Sequence, residues 1–124
     1  MKLSLVVPCY NEAGNVAAFQ DTVITAFEGC GYDYEIIFID DGSKDKSVQM
    51  VKEIIAEDNN VHLIVFRKNF GKAAALQAGF RNATGDIVIT MDADLQDDPK
   101  EIPRMIEKLD EEDNPVIMIV KMKK

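Results

Sequence analysis

Five apolar runs alternate with amphipathic stretches along this chain, and that alternation leaves few folds open. The runs "LSLVV" (3–7), "YEIIFID" (34–40), "VHLIVF" (61–66), "DIVITM" (86–91) and "PVIMIVK" (115–121) read as strands. Between them, Val16, Phe19, Val23 and Phe27 recur at helical spacing, and Val48, Val51 and Ile55 mark a second helix. Residues 73–83 form an alanine-rich third helix with Leu76, Phe80 and Ala83 on one side and Gly85 as the expected C-terminal stop. Ile102, Met105, Ile106 and Leu109 predict a fourth, bracketed at its start by Pro99 and Pro103. The second strand is almost wholly apolar, as expected of a parallel strand covered on both faces. Repeated strand–helix units predict an α/β fold, a Rossmann-like, doubly wound and mainly parallel sheet in one domain over 1–124.

Composition narrows the function classes. With 124 residues, 47% of them hydrophobic, the chain can bury one sizeable core. A formal net charge of −8 repels a nucleic-acid backbone, so no nucleic acid is expected as partner. An anionic small molecule would instead need a cation to bridge it. No apolar run nears the roughly 20 residues of a membrane-spanning helix, and Pro8 cuts the N-terminal run short of a signal sequence. The expectation is a soluble, cytoplasmic chain, with Cys9 and Cys30 as free thiols.

Ligands of doubly wound sheets bind beyond the carboxyl ends of the strands. The loops to read are therefore "PCYNEAGN", "DDGSKD", "RKNFGK" and "DADLQDD". In the last, Asp92, Asp94 and Gln96 fall on one side if the extended backbone continues past Met91. These hard oxygen donors suit Mg²⁺ or Mn²⁺. The competing reading is a solvated acidic turn, with Asp97 or Asp98 capping the next helix. An EF-hand is excluded, because the sixth position counted from Asp92 is Asp97 and not glycine.

In "IDDGSKDKS", Gly42 permits a tight turn and Ser43 or Asp45 can cap the second helix. A turn does not need two adjacent carboxylates, so Asp40 and Asp41 are candidates for holding a base, a ribose or the neighbourhood of a cation. Tyr10 could lie against a base and Glu12 hold a ribose hydroxyl; alternatively, Asn11 caps the first helix with Glu12 in its first turn. Arg67, Lys68 and Lys72 surround Gly71 where a helix begins, a setting that suits phosphate. It is not a Walker loop, because no glycine lies five residues before Gly71. "GCGYDY" follows a helix and precedes a strand, the reverse of the dinucleotide-binding context, and His62 reads as structural.

Taken together, "VVPCYNE", "FIDDGSKDKS", "RKNFGKAAALQAGF" and "TGDIVITMDADLQDDP" resemble the nucleotide-sugar half of family 2 glycosyltransferases with the GT-A fold. The resemblance covers about residues 3–110, in the family's order. It is nearest to the branch that transfers sugars to polyprenyl phosphates. It implies that Pro8, Tyr10 and Glu12 form the base and ribose loop, that Asp40 recognises the base with Asp41 beside it, and that Lys72 neighbours the diphosphate. It further implies a D-x-D-x-Q metal site at Asp92, Asp94 and Gln96 holding Mg²⁺ or Mn²⁺ on the diphosphate of a UDP- or GDP-sugar, with Asp92 also touching the nucleotide. Family members continue through an acceptor-binding half, and full-length relatives often sit at the cytoplasmic membrane face. This chain stops at "NPVIMIVKMKK", so the expectation is a truncated GT-A domain that binds donor with weak or absent transfer, its catalytic acceptor-side residues lacking.

Two other classes compete. A non-catalytic module could keep the nucleotide pocket and act through a partner or as a homodimer. A Mg²⁺-binding phospho-receiver domain has similar length, but wants its acidic pair after the first strand and a phospho-accepting aspartate after the third. Here those strands end in "PCYNE" and "RKNFGK".

Overall fold

A computed structural model describes residues 2–28, 31–94 and 118–121. The elements run β1 (Lys2–Cys9), α1 (Val16–Glu28), β2 (Asp33–Asp40), α2 (Ser47–Glu57), β3 (Val61–Val65), α3 (Lys72–Asn82), β4 (Ile87–Thr90) and β5 (Met118–Lys121). The strands form one sheet in the order β3-β2-β1-β4-β5, every pair parallel. The α/β, parallel-sheet expectation is met. The predicted fourth helix, Gln96, Asp97, Asp98 and Cys30 lie outside the described residues, as does the start of the fifth predicted strand.

The chain enters at the middle of the sheet, moves outward to β2 and β3, then crosses back through α3 to β4 on the other side of β1. That reversal is a topological switch point, where loops leaving neighbouring strands diverge and open a crevice.

Strand alternation divides the core into two faces. Leu3, Leu5, Val7, Ile36, Phe38, Ile87 and Ile89 face one side, where Val16, Phe19, Val23 and Phe27 of α1 and Val51 of α2 cover them. Val6, Ile37, Ile39 and Val88 face the other and meet Ala75 of α3. Fully burying a side chain of this size contributes about 1.5–3 kcal/mol, so the helical spacing read in the sequence dictates which face of α1 turns inward.

The third helix differs from expectation at both ends. It begins at Lys72 and ends at Asn82, with Ala83 extended (φ −70°, ψ 133°). Gly85 is therefore not the helix stop. It donates its N–H to Ser4 Oγ at 2.8 Å, and a Cβ there would sit 2.9 Å from the Leu3 carbonyl carbon. The helix has to hand over directly to a strand beside β1, and that close approach is what the glycine serves. Gly79, inside α3, faces Val6 and Ile39, and a Cβ would lie 2.9 Å from Ile39 Cδ1 and closer still to Val6 Cγ1.

A buried carboxylate closes the opposite edge of the sheet. Glu35 Oε2 accepts hydrogen bonds from Ser4 Oγ (2.6 Å), Thr84 N (2.7 Å) and Thr84 Oγ1 (3.0 Å). His62 Nε2, on a side chain 53% exposed, lies 3.7 Å from Glu35 Oε1. Burial pushes the Glu35 carboxyl upward, but the bonds from Ser4 and Thr84, with Lys2 nearby, outweigh it and leave it below the ordinary glutamate value. A carboxylate depressed in the folded state contributes stability that is present above its unfolded pKa, near 4.5, and lost as pH falls through the folded value. Denaturant titrations should show stability falling as the pH drops below about 4.5, and Glu35→Gln should flatten that dependence while costing about 1–3 kcal/mol at neutral pH.

Candidate functional site

Two loops at the carboxyl edge are buttoned together. Asn11, at φ 52°, turns the β1–α1 loop so that its N–H donates to Ser43 Oγ (2.8 Å) and its Oδ1 accepts from Lys44 N (2.8 Å). Glu12 N donates to Ser47 Oγ (2.9 Å) and Ala13 N to Asp45 Oδ2 (3.1 Å). Asn11 is thus not the cap of α1, which starts four residues beyond Glu12, and Ser43 is not the cap of α2. Lys46 occupies the N-cap position without a side-chain bond, while Asp45 Oδ1 accepts from Ser47 N at 2.9 Å. The hydroxyl and amide of Ser47 and the amide of Ala13 hold the Asp45 carboxyl below its usual range.

The adjacent aspartates separate, because neighbouring residues at the end of β2 point to opposite faces. Asp40 turns beneath the first two loops, 2% exposed, and its Oδ2 accepts from Ser43 N at 2.8 Å. Asp41 turns the other way and accepts Phe70 N (2.7 Å) and Gly71 N (3.0 Å), the amides just before α3. A carboxylate is favoured at a helix N-terminus, so the amides there that suit phosphate already have an internal partner. Gly42 (φ 79°) completes the junction: a Cβ would meet the Lys68 carbonyl carbon at 2.6 Å and Asn69 N at 2.7 Å.

These loops enclose a pocket of about 220 Å³ at the switch point. Pro8 lines it from β1, Tyr10 and Glu12 from the loop after β1, Asp41 from the turn after β2, Lys72 from α3, and Asp92 and Asp94 from the turn after β4. Of the predicted site residues within the described chain, all but Asp40 therefore meet in one place. Asp92 and Asp94 converge through a turn at Ala93 and Asp94 and not through a continued strand. Lys72 Nζ is 2.8 and 2.9 Å from the two Asp92 oxygens.

Cys9 and Ala75 also line the pocket. Cys9 was legible as the next member of the Leu3, Leu5, Val7 face; Ala75 carried no signal. Burial, then the charges of Asp40, Glu12 and Asp45, push the Cys9 thiol up to about 12. At pH 8 its thiolate fraction is roughly 10⁻⁴. Cys9 should therefore resist iodoacetamide under native conditions and label readily once the chain is unfolded, as read by peptide mass.

The donor set at the pocket's mouth fits a divalent cation. Two carboxylates supply hard oxygens, and Mg²⁺ commonly completes its shell with water and substrate phosphate. Among the described residues there is no cluster of three or more His, Cys, Asp or Glu that could hold a metal unaided. An ion here would need donors beyond Asp92 and Asp94, such as water or oxygens of a ligand.

Comparison with known proteins agrees with the fold. The model of the glycosyl transferase family 2 matches residues 4–123. The chain is 44% identical over 107 residues to the undecaprenyl-phosphate 4-deoxy-4-formamido-L-arabinose transferase of Pseudomonas fluorescens, covering 86% of this chain and 31% of that protein. A mannosyltransferase from Pyrobaculum calidifontis, solved with GDP-Man and Mn²⁺, superposes with a TM-score of 0.74 at 26% identity, covering 86% of this chain and 32% of that one. TarS of S. aureus, solved with UDP, shares the fold (TM-score 0.70, 21% identity, 90% of this chain and 32% of that chain). The chain spans about a third of the length of these relatives. The chain belongs to glycosyl transferase family 2.

Proposed function

We propose that this chain binds the donor of a glycosyl transfer, a UDP- or GDP-linked sugar with a divalent metal, and that the acceptor of the whole reaction is a polyprenyl phosphate. The observation that carries the reading is the convergence of Pro8, Tyr10, Glu12, Asp41, Lys72, Asp92 and Asp94 on one pocket at the switch point. The acceptor is proposed from the relative whose name includes undecaprenyl phosphate. The donor classes come from solved neighbours that hold UDP and GDP-Man.

Tyr10, 42% exposed, offers a ring face to a base, and Glu12 a carboxylate to ribose hydroxyls. Asp41 faces the pocket and Asp40 lies beneath it, so base recognition falls to Asp41, with Asp40 holding the turn. Asp92 and Asp94, with Gln96 as the third proposed donor, hold Mg²⁺ or Mn²⁺ on the diphosphate. A bound cation supplies neutralisation of charge on the departing nucleoside diphosphate. Lys72 adds a second positive charge at the same place, and Asp92 keeps it there. The acceptor oxygen forms its bond to the anomeric carbon as the bond to the diphosphate breaks on the opposite face, inverting that centre. A phosphate acceptor is already ionised at neutral pH, so a general base matters less. In this reading the donor site works from the cytoplasmic side.

Calorimetry of the chain against UDP and GDP, each with and without Mn²⁺, tests the proposal. Metal-dependent binding of one nucleotide is expected and also selects the base. Absence of binding by either would favour a family module that acts through a partner.

A further inference from the structure

Away from the donor pocket, α1 and α2 leave between them a groove of about 340 Å³ that shares no lining residue with it. Ile24 of α1 and Met50 and Ile54 of α2 make its apolar walls. Asp21 on α1 and Glu53 and Glu57 on α2 line it with carboxylates, and no ion pair among the described residues reaches any of the three. Like charges brought together along a helix seam repel unless a cation lies between them. A second observation is independent of charge. Gln20 also lines the groove, is 3% exposed, and has no hydrogen-bond partner among the described residues at Nε2 or at Oε1. Buried side-chain amides are nearly always bonded, so an open donor beside an open acceptor points to a missing partner.

We propose that this groove docks a lysine- or arginine-bearing peptide segment of a protein partner. Such a segment answers all three features. Its cationic head meets the carboxylates, and its methylene stem lies along Ile24, Met50 and Ile54. A peptide group, carrying both N–H and C=O, completes the Gln20 amide once docking turns that buried side chain toward the groove. A bare metal ion would leave the amide donor and the apolar walls unused, and a polyamine brings no acceptor for Nε2. The inference concerns α1 and α2 alone and stands whether or not the donor reading holds.

The test is an NMR titration of the ¹⁵N-labelled chain with acetyl-Gly-Lys-Gly-amide and its arginine counterpart. The norleucine tripeptide and spermidine serve as controls. Saturable shifts of the Gln20 side-chain amide and of α1 and α2 backbone amides are expected with the basic peptides. Affinity should fall at least about fivefold for norleucine, for the Glu53→Gln/Glu57→Gln double variant and for Gln20→Leu. Dispersion of the unliganded spectra establishes that each variant is folded. Equal binding of norleucine would overturn the charge argument, and equal binding of spermidine would overturn peptide recognition. No saturable shift at millimolar peptide would overturn the site.

Discussion

Asp94→Ala is expected to weaken Mn²⁺-dependent nucleotide binding at least about 100-fold, a loss of roughly 2.7 kcal/mol. Of the two described carboxylates at the mouth of the pocket, Asp92 already holds Lys72 through both oxygens. Removing Asp94 therefore takes away one of the two carboxylates and leaves the Asp92–Lys72 pair in place. The core should be indifferent, because the buried residue of this turn is Ala93. Calorimetry with and without Mn²⁺ reads the effect, and thermal unfolding of the variant checks the fold. Lys72→Met should behave differently, weakening nucleotide binding both with and without metal, because it removes fixed positive charge. Metal-dependent affinity unchanged in Asp94→Ala would separate the cation from this turn and remove the metal from the proposed donor site.

Gly79→Ala carries the second large effect, on stability. In an ordinary helix the change is favourable by about 1 kcal/mol. Here the added methyl would overlap Val6 Cγ1 and press on Ile39 Cδ1 at 2.9 Å. Both residues are fully buried, Val6 on the central strand β1 and Ile39 on its neighbour β2, so neither can swing into solvent. Overpacking of this kind costs more than the helix gains, and we expect a net loss of about 2 kcal/mol in denaturant melts. Val6→Ala removes the obstructing methyls. The double variant should therefore be more stable than the sum of the single changes by at least about 0.5 kcal/mol, and simple additivity would refute the contact. Because α3 carries Lys72 and Ala75 into the pocket, displacing the helix should also reduce nucleotide affinity. Stability and binding are coupled through one glycine.

Much of this was legible in the residue order. Strand alternation and helical spacing are local, periodic signals, and they placed the described strands and helices to within a few residues. They also placed the four loops on one edge, because every loop follows a parallel strand. Carboxylates of that density at strand ends could be read as cation-seeking from charge alone. What stayed illegible was long-range. That Asp41 points into the pocket and Asp40 beneath it depends on which helix covers which face of β2. That Asn11 and Ser43 bond each other, and not their own helices, depends on two loops 32 residues apart in sequence coming together.

The sequence by itself determined the fold class, the edge on which the loops gather and nearly all of the predicted residues that line the pocket there, because periodicity and charge reside in neighbouring residues. Only the tertiary structure decided the division of labour: Asp41 as clamp on the start of α3, Lys72 as partner of Asp92, Gly79 and Gly85 as contact points and not breaks, and Gln20 between two helices with no partner among the described residues. Each of those depends on distances between elements that the chain brings together only on folding, and no local pattern encodes them.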